Sequence, residues 1–322
     1  MRSTVTTALL TGAAAVALVV PGASAAPTAD LQPQALARGA DVAVPHVVDG
    51  VLVDGERRLD LPGNDGDVLG ASGDAQLVAV WTTTRLGEQR NARVVRVEPD
   101  GAVRTIVVGD EARSALLSEE GSRLVTTEET GRRRAPVTVW SAEDGSEIAR
   151  RVMDGYPQAV TADDRTVVVQ TVRRTVLWRV GPNRVRTLTS GITGLADIEH
   201  DLFVTYTKDP YLGGCTRLVR LTDLDTAVWR SCRDRVVAIS PDGTQMLTFD
   251  LLTDGVGPGE ITLRTIRGRR LASWTTGWFS GWQWESPGTV LLEVNGRRKS
   301  ATVRCVLEQC ENATDPVKVT PP

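Results

Sequence analysis

The side chains able to do chemistry in this 322-residue chain are few in kind: two histidines, four cysteines, 40 acids and 37 bases, of which only Lys208, Lys299 and Lys318 are lysine. Serine hydrolysis needs a nucleophile elbow and a histidine base, and no G-x-S-x-G segment occurs. His200 stands beside Asp201 where a turn enters the apolar run Leu202 to Thr205, and His46 lies at the edge of an Ala- and Pro-rich stretch. Both read as turn or surface histidines. Carboxylate chemistry has more material, since turns arranged about one axis would gather Asp163, Asp197 and Asp242; yet Asp is favoured in turns for purely local reasons. Asn64-Asp65-Gly66-Asp67 and Asp223-Leu224-Asp225 offer oxygen ligands without completing a calcium loop and its terminal Glu, and zinc would want CxxC pairs or more histidine. No catalytic residue, metal or cofactor is expected. Asn312-Ala313-Thr314 fits the glycosylation sequon, a pattern that arises often by chance.

Two clusters remain. Trp274, Trp278, Trp282 and Trp284 crowd one stretch; Trp282 and Trp284 alternate as in a strand, which favours core packing over a sugar-stacking platform. Arg132-Arg133-Arg134 sits in a loop, where binding surfaces often reside, although a solvated run is the blander reading. The net charge of -3 argues against a nucleic-acid binder, whose footprint is a basic excess.

These side chains must be held by something, and the N-terminus says where. Arg2 precedes Ala8 to Val20, thirteen uncharged residues, and Pro21-Gly22 breaks that run before Ala23-Ser24-Ala25. This is the pattern of a secretory signal peptide, residues 1–25, with a run too short to span a bilayer. No Cys follows the small residues, and no LPxTG-like signal ends the chain, so a secreted, extracellular monomer with no membrane span is expected. Export favours disulfides over thiol chemistry. Cys215 and Cys232 lie symmetrically about Thr222-Asp223-Leu224-Asp225, and Cys305 and Cys310 flank Val306 to Gln309. In antiparallel hairpins each pair faces across the strands, which selects Cys215 with Cys232 and Cys305 with Cys310.

The scaffold follows from a recurring apolar, Ser-or-Thr, acidic-or-Gly pattern, clearest at Val237 to Leu247. Aligning Ser72, Ser118, Thr161, Ala196, Ser240 and Glu285 gives spacings of 46, 43, 35, 44 and 45. A period in the forties, with two-residue alternation, acidic-Gly turns and no sustained helical face, predicts an all-β propeller of four-stranded antiparallel blades. Six units start near 68, 114, 158, 192, 235 and 279. The hairpin His46 to Leu61, turning at Asp54-Gly55, resembles the last two strands of a seventh, incomplete unit; a six-bladed ring with that hairpin outside is the alternative. Residues 26–45 read as a flexible leader and 46–322 as the propeller, with the C-terminal Pro316 to Thr320 as the candidate to close the ring.

The Ser240-Pro241-Asp242-Gly243 unit, the period and the paired cysteines resemble the TolB-type and WD40-like propellers exported by bacteria. The resemblance covers most of the mature chain, although only Ser240 to Gly243 keeps the tetrapeptide and the Gly-His and Trp-Asp signatures of WD40 blades are absent. It implies either a non-catalytic binding module for a protein or an anionic cell-envelope ligand, or a propeller hydrolase or lactonase using channel carboxylates. For the binding module, the long loops Thr84 to Asn91, Glu128 to Ala135, Lys208 to Gly214 and Leu251 to Gly259 should share one face. The ligand residues expected there are Arg85, Arg90, Arg132, Arg133, Arg134 and Tyr211.

Overall fold

Seven antiparallel sheets follow one another around a β-propeller in the computed structural model, which describes residues 27–128, 133–191 and 193–320. Blade 1 has three strands, His46–Val48, Val51–Asp54 and Arg57–Asp60. Blades 2 to 7 each contribute four sequential strands and span residues 65–108, 116–154, 158–189, 193–231, 234–275 and 278–312. The six expected starting points therefore fall within three residues of the observed first strands. Residues 1–25, expected to form a signal peptide, and Arg132 lie outside the described residues. Among those described, the only helical turns are short 3-10 pieces such as Pro210–Leu212.

Alternation explains where the core sits. Each strand sends one set of side chains to the preceding blade and the other to the next, so apolar clusters lie between blades rather than within them. Leu77, Val94 and Leu124 fill the contact of blades 2 and 3. Phe203, Val219 and Leu188 fill that of blades 4 and 5, and Leu202, Val236 and Met246 that of blades 5 and 6. The tryptophan cluster is core: Trp274 is fully buried and donates to the Leu307 carbonyl at 2.8 Å, and Trp282 meets Phe249 edge-on at 5.1 Å.

A polar device repeats at the blade boundaries. The last strand of one blade reaches the turn between the third and fourth strands of the next. Arg57 donates to the Glu98 carbonyl at 2.5 Å, Arg104 to Glu143, Arg151 to Asn183 at 2.9 Å and Arg186 to Leu221 at 3.5 Å. Trp229 takes that place between blades 5 and 6, so close to Gly268 that a Cβ there would lie 2.2 Å from its ring. Arg57 thus marks Arg57–Asp60 as an outermost strand. Blade 1 holds the second, third and fourth strands of a unit and lacks the innermost, one strand more than the hairpin read from sequence.

Two expectations are corrected. The C-terminal segment does not complete blade 1: Val317–Lys318 pairs with Lys299 and Ser300 of blade 7, because its backbone continues directly from the last strand of that blade. The 26–45 leader is not free either. Thr28–Asp30 adds as a parallel fifth strand to Arg270–Thr275, Leu31 is buried between blades 6 and 7, and Asn312 donates to the Pro33 and Leu36 carbonyls. Arg304 of blade 7 donates to the carbonyls of Ala40 and Asp41, both at 2.8 Å, while its ion-pair partner Glu285 accepts the Ala43 amide at 2.9 Å. The leader docks through backbone groups onto an open sheet edge and an ion pair, and such docking leaves no side-chain periodicity to read. Asn312, the sequon residue, is 1% exposed and its amide is spent on those carbonyls, so a glycan has no access to it.

Candidate functional site

Both disulfides join the expected partners, with Cα atoms 4.1 Å apart in Cys215–Cys232 and 4.2 Å in Cys305–Cys310. The first lies at the base of the longest excursion of blade 5. Thr207 and Cys215 exchange bonds there: the Thr207 amide donates to the Cys215 carbonyl and the Cys215 amide to the Thr207 hydroxyl, each at 2.9 Å. Between them the chain turns through Pro210–Leu212, capped by Asp209, which accepts the Tyr211 amide at 2.9 Å. Gly214 is obligatory because a Cβ would stand 2.0 Å from the Lys208 carbonyl oxygen. The Tyr211 hydroxyl reaches Asp254 in the corresponding loop of blade 6, at 3.4 Å.

This braced loop is one wall of a cavity of about 960 Å³ at the junction of blades 4, 5 and 6. Thr189 and Ser190 line it from blade 4, Thr205, Tyr206 and Arg217 from blade 5, and Arg235 from blade 6. Arg217 is held through one nitrogen by the carbonyls of Leu224, at 3.3 Å, and Asp225, at 2.7 Å. Arg235 stacks over the Phe249 ring, 4.5 Å from its centroid, and donates to the Thr253 carbonyl at 2.7 Å. Its Nε is buried with no partner, as is the Thr205 hydroxyl. Lys208, Arg217 and Arg235 all line the cavity, and none forms an ion pair with a carboxylate of the described residues. Burial pushes the Tyr206 hydroxyl up against the pull of the nearby Arg235 charge, so it stays protonated at neutral pH.

Of the residues expected to bind a ligand, Tyr211 lines this cavity. Arg85 stands in the second-to-third-strand loop of blade 2 and Arg90 near the start of its third strand, Arg133 stands in the corresponding loop of blade 3 and Arg134 opens its third strand, and all four are exposed. Strand order puts these loops on the same face as Tyr211 without bringing them into the cavity. Arg90 pairs with Glu88 at 2.5 Å, and Arg134 lies 3.8 Å from Asp154. Lys208, Arg217 and Arg235 escaped sequence reasoning; the one available signal was a rare lysine opening a long loop. Arg217 and Arg235 look like ordinary strand residues because their neighbours across the cavity come from other blades.

The carboxylates weighed for catalysis sit in the first-to-second-strand turns, on the opposite face. Asp163 accepts the Arg165 amide at 2.7 Å, Asp197 accepts the His200 amide at 2.8 Å, and Asp242 accepts the Thr244 amide at 3.1 Å. The Ser240 hydroxyl holds the Asp242 carboxyl below the usual carboxylate range. His200 lies 2.9 Å from Asp197, and His46 contacts the Val44 carbonyl at 2.9 Å. Asp65 receives the Trp81 indole and the Thr83 hydroxyl from the neighbouring strand, and Asp223 caps its own turn at Thr226, so one carboxylate of each would-be calcium segment is engaged by the fold.

No protein-family model matches the chain, and no curated protein matches it. Solved structures do, at the level of the fold. A chain of the mitotic checkpoint complex superposes with a TM-score of 0.54 at 16% identity, over 81% of this chain and 85% of that one. Hsv2p of Kluyveromyces lactis gives 0.50 at 13% identity, covering 74% and 73%. A prolyl endopeptidase gives 0.54 at 10% identity, over 78% of this chain and 42% of that one. Such distant likeness defines a class, the β-propellers, and nothing narrower.

Proposed function

We propose that this protein is an exported, non-catalytic propeller of the TolB-type and WD40-like kind that works as a binding module, with its ligand seated in the cavity beside Tyr211. One observation carries the reading: three cations line a preformed cavity of about 960 Å³ and none is ion-paired with a carboxylate of the described residues. Cavities of this size on rigid scaffolds are where ligands bind. Two disulfides fit an oxidising, extracytoplasmic location, and no helix of the described residues is long and apolar enough to cross a membrane. A hydrolase or lactonase is less favoured, because Asp163, Asp197 and Asp242 are each engaged by their own turns. Arg85, Arg90, Arg133 and Arg134, on the same face, form a secondary contact zone for an anionic envelope ligand or an acidic protein surface.

The test has three readings. The exported protein begins at Ala26, read by N-terminal sequencing; intact Met1 on exported material refutes processing. Purified protein retains an anionic envelope polymer on a pull-down column, less so when Arg132, Arg133 and Arg134 are together changed to Ser, while its melting temperature is nearly unchanged. Ester or lactone turnover above buffer, abolished by Asp197→Asn, would overturn the non-catalytic reading.

A further inference from the structure

The chemistry of the cavity narrows the ligand, and this step rests on the binding-module reading above. Arg217 and Arg235 are anchored by backbone carbonyls, so their positions are fixed while their charge is not cancelled. Each keeps N–H groups with no acceptor among the described residues, although the Nε of Arg235 is buried out of a ligand's reach. Guanidinium groups fixed in this way suit the two oxygens of a carboxylate. The lining also contains Asp209 and Asp225, which leaves one net positive charge against three cations. A densely charged ligand, such as a polyphosphate or a run of acidic peptide, would meet those two carboxylates unfavourably. A ligand with one carboxylate and many hydroxyls would use them as acceptors instead.

Two further features point the same way. Tyr211 is 68% exposed where it lines the cavity, held at its backbone by Asp209 and at its hydroxyl by Asp254. Aromatic faces of this kind pack on the C–H surfaces of sugar rings. At the blade 4 wall of the cavity Thr189 and Ser190 supply hydroxyl side chains for polar contacts. From these groups we infer that the cavity binds a carboxylated oligosaccharide, with the carboxylate of one uronic-acid-type residue on Arg217, a neighbouring ring against Tyr211 and ring hydroxyls on the threonine and serine side chains. A volume of about 960 Å³ holds a few sugar residues and not a folded partner.

Isothermal titration of the full mature protein with a trisaccharide carrying a single uronate residue tests this, alongside the same trisaccharide with its carboxyl reduced and a triglutamate peptide. The uronate is expected to bind at the cavity and the reduced sugar roughly tenfold more weakly or worse, the loss expected for a charged hydrogen-bond partner. Arg217→Gln and the exposed-site variant Lys208→Gln should each weaken the uronate, and Tyr211→Ala should weaken both sugars. Lys208→Gln keeps the test sound if Arg217→Gln fails to fold. Equal binding of charged and neutral sugar, or triglutamate binding more tightly than the uronate, overturns the saccharide inference. Binding of some other anionic polymer that Tyr211→Ala abolishes, with no uronate bound, also overturns it but leaves the binding module standing. Absence of binding together with ester or lactone turnover removes both.

Discussion

Two carboxylates titrate in opposite directions in this fold, and burial against pairing decides the sign. Glu285 is held below the usual carboxylate value of 4.5, first by the Arg304 guanidinium and also by the Ala43 amide. Its contribution to stability is complete above pH 4.5 and is lost as pH falls through its folded value. Glu119 is raised above 4.5 because burial outweighs its bonds to the amides of Ile198 and Glu199 and to the Thr161 hydroxyl. That group works the other way: the folded state binds its proton more tightly, so stability declines as pH rises from 4.5 through the folded value. Melting curves across this range should show Glu285→Gln flattening the acid limb and Glu119→Gln flattening the decline above pH 4.5; unchanged profiles would refute both assignments. Arg304→Ala should cost about 3–5 kcal/mol in denaturant unfolding, because it strands a carboxylate only 9% exposed and releases the leader carbonyls it holds.

The disulfides and the boundary arginines act on elements rather than single contacts. Cys215–Cys232 closes a separation of 17 residues and Cys305–Cys310 one of 5, so loop entropy gives about 3 and about 2 kcal/mol respectively. Paired Cys→Ser variants measured by calorimetry should follow that order. The first pair should also weaken ligand capture, since it fixes the loop carrying Lys208 and Tyr211, whereas the second should leave capture unchanged. A reversed order of stability would show that strain or residual unfolded structure dominates. At the boundary of blades 3 and 4, Arg151→Ala removes a donor from the Asn183 carbonyl and should lower stability by about 1 kcal/mol, less than removing the buried Arg304.

At the scale of the ring, closure is uneven. Blades 2 to 7 meet through continuous apolar clusters, whereas no buried apolar cluster of the described residues joins blade 7 to blade 1, and the small group of Val42, Leu291 and Ala313 ties blade 7 to the leader. Beside it runs a cleft of about 430 Å³ between blade 1 and the residues following Asn312, where Val48 is 49% exposed. Each blade depends on its neighbours for burial, so opening should start where that burial is least. Hydrogen exchange is expected to label His46–Val48 and Val51–Asp54 before the second strands of blades 4 and 5, Thr166–Gln170 and Leu202–Tyr206. Simultaneous exchange of all four would mean that the ring opens as one unit.

Strand alternation, the period near forty-four, the acidic-Gly turns and the symmetric cysteines are local features, with partners within about twenty residues of each other. They determine the all-β class, the blade boundaries and both disulfides before any tertiary contact is known. The leader carries no such pattern, because Thr28–Asp30 docks onto a strand some 245 positions later through main-chain groups that every residue possesses. The cavity is likewise a tertiary product. Tyr211 could be placed on a long loop, but Lys208, Arg217 and Arg235 become one site only when blades 5 and 6 curve towards each other and backbone carbonyls, invisible in a residue string, hold the guanidinium groups without neutralising them.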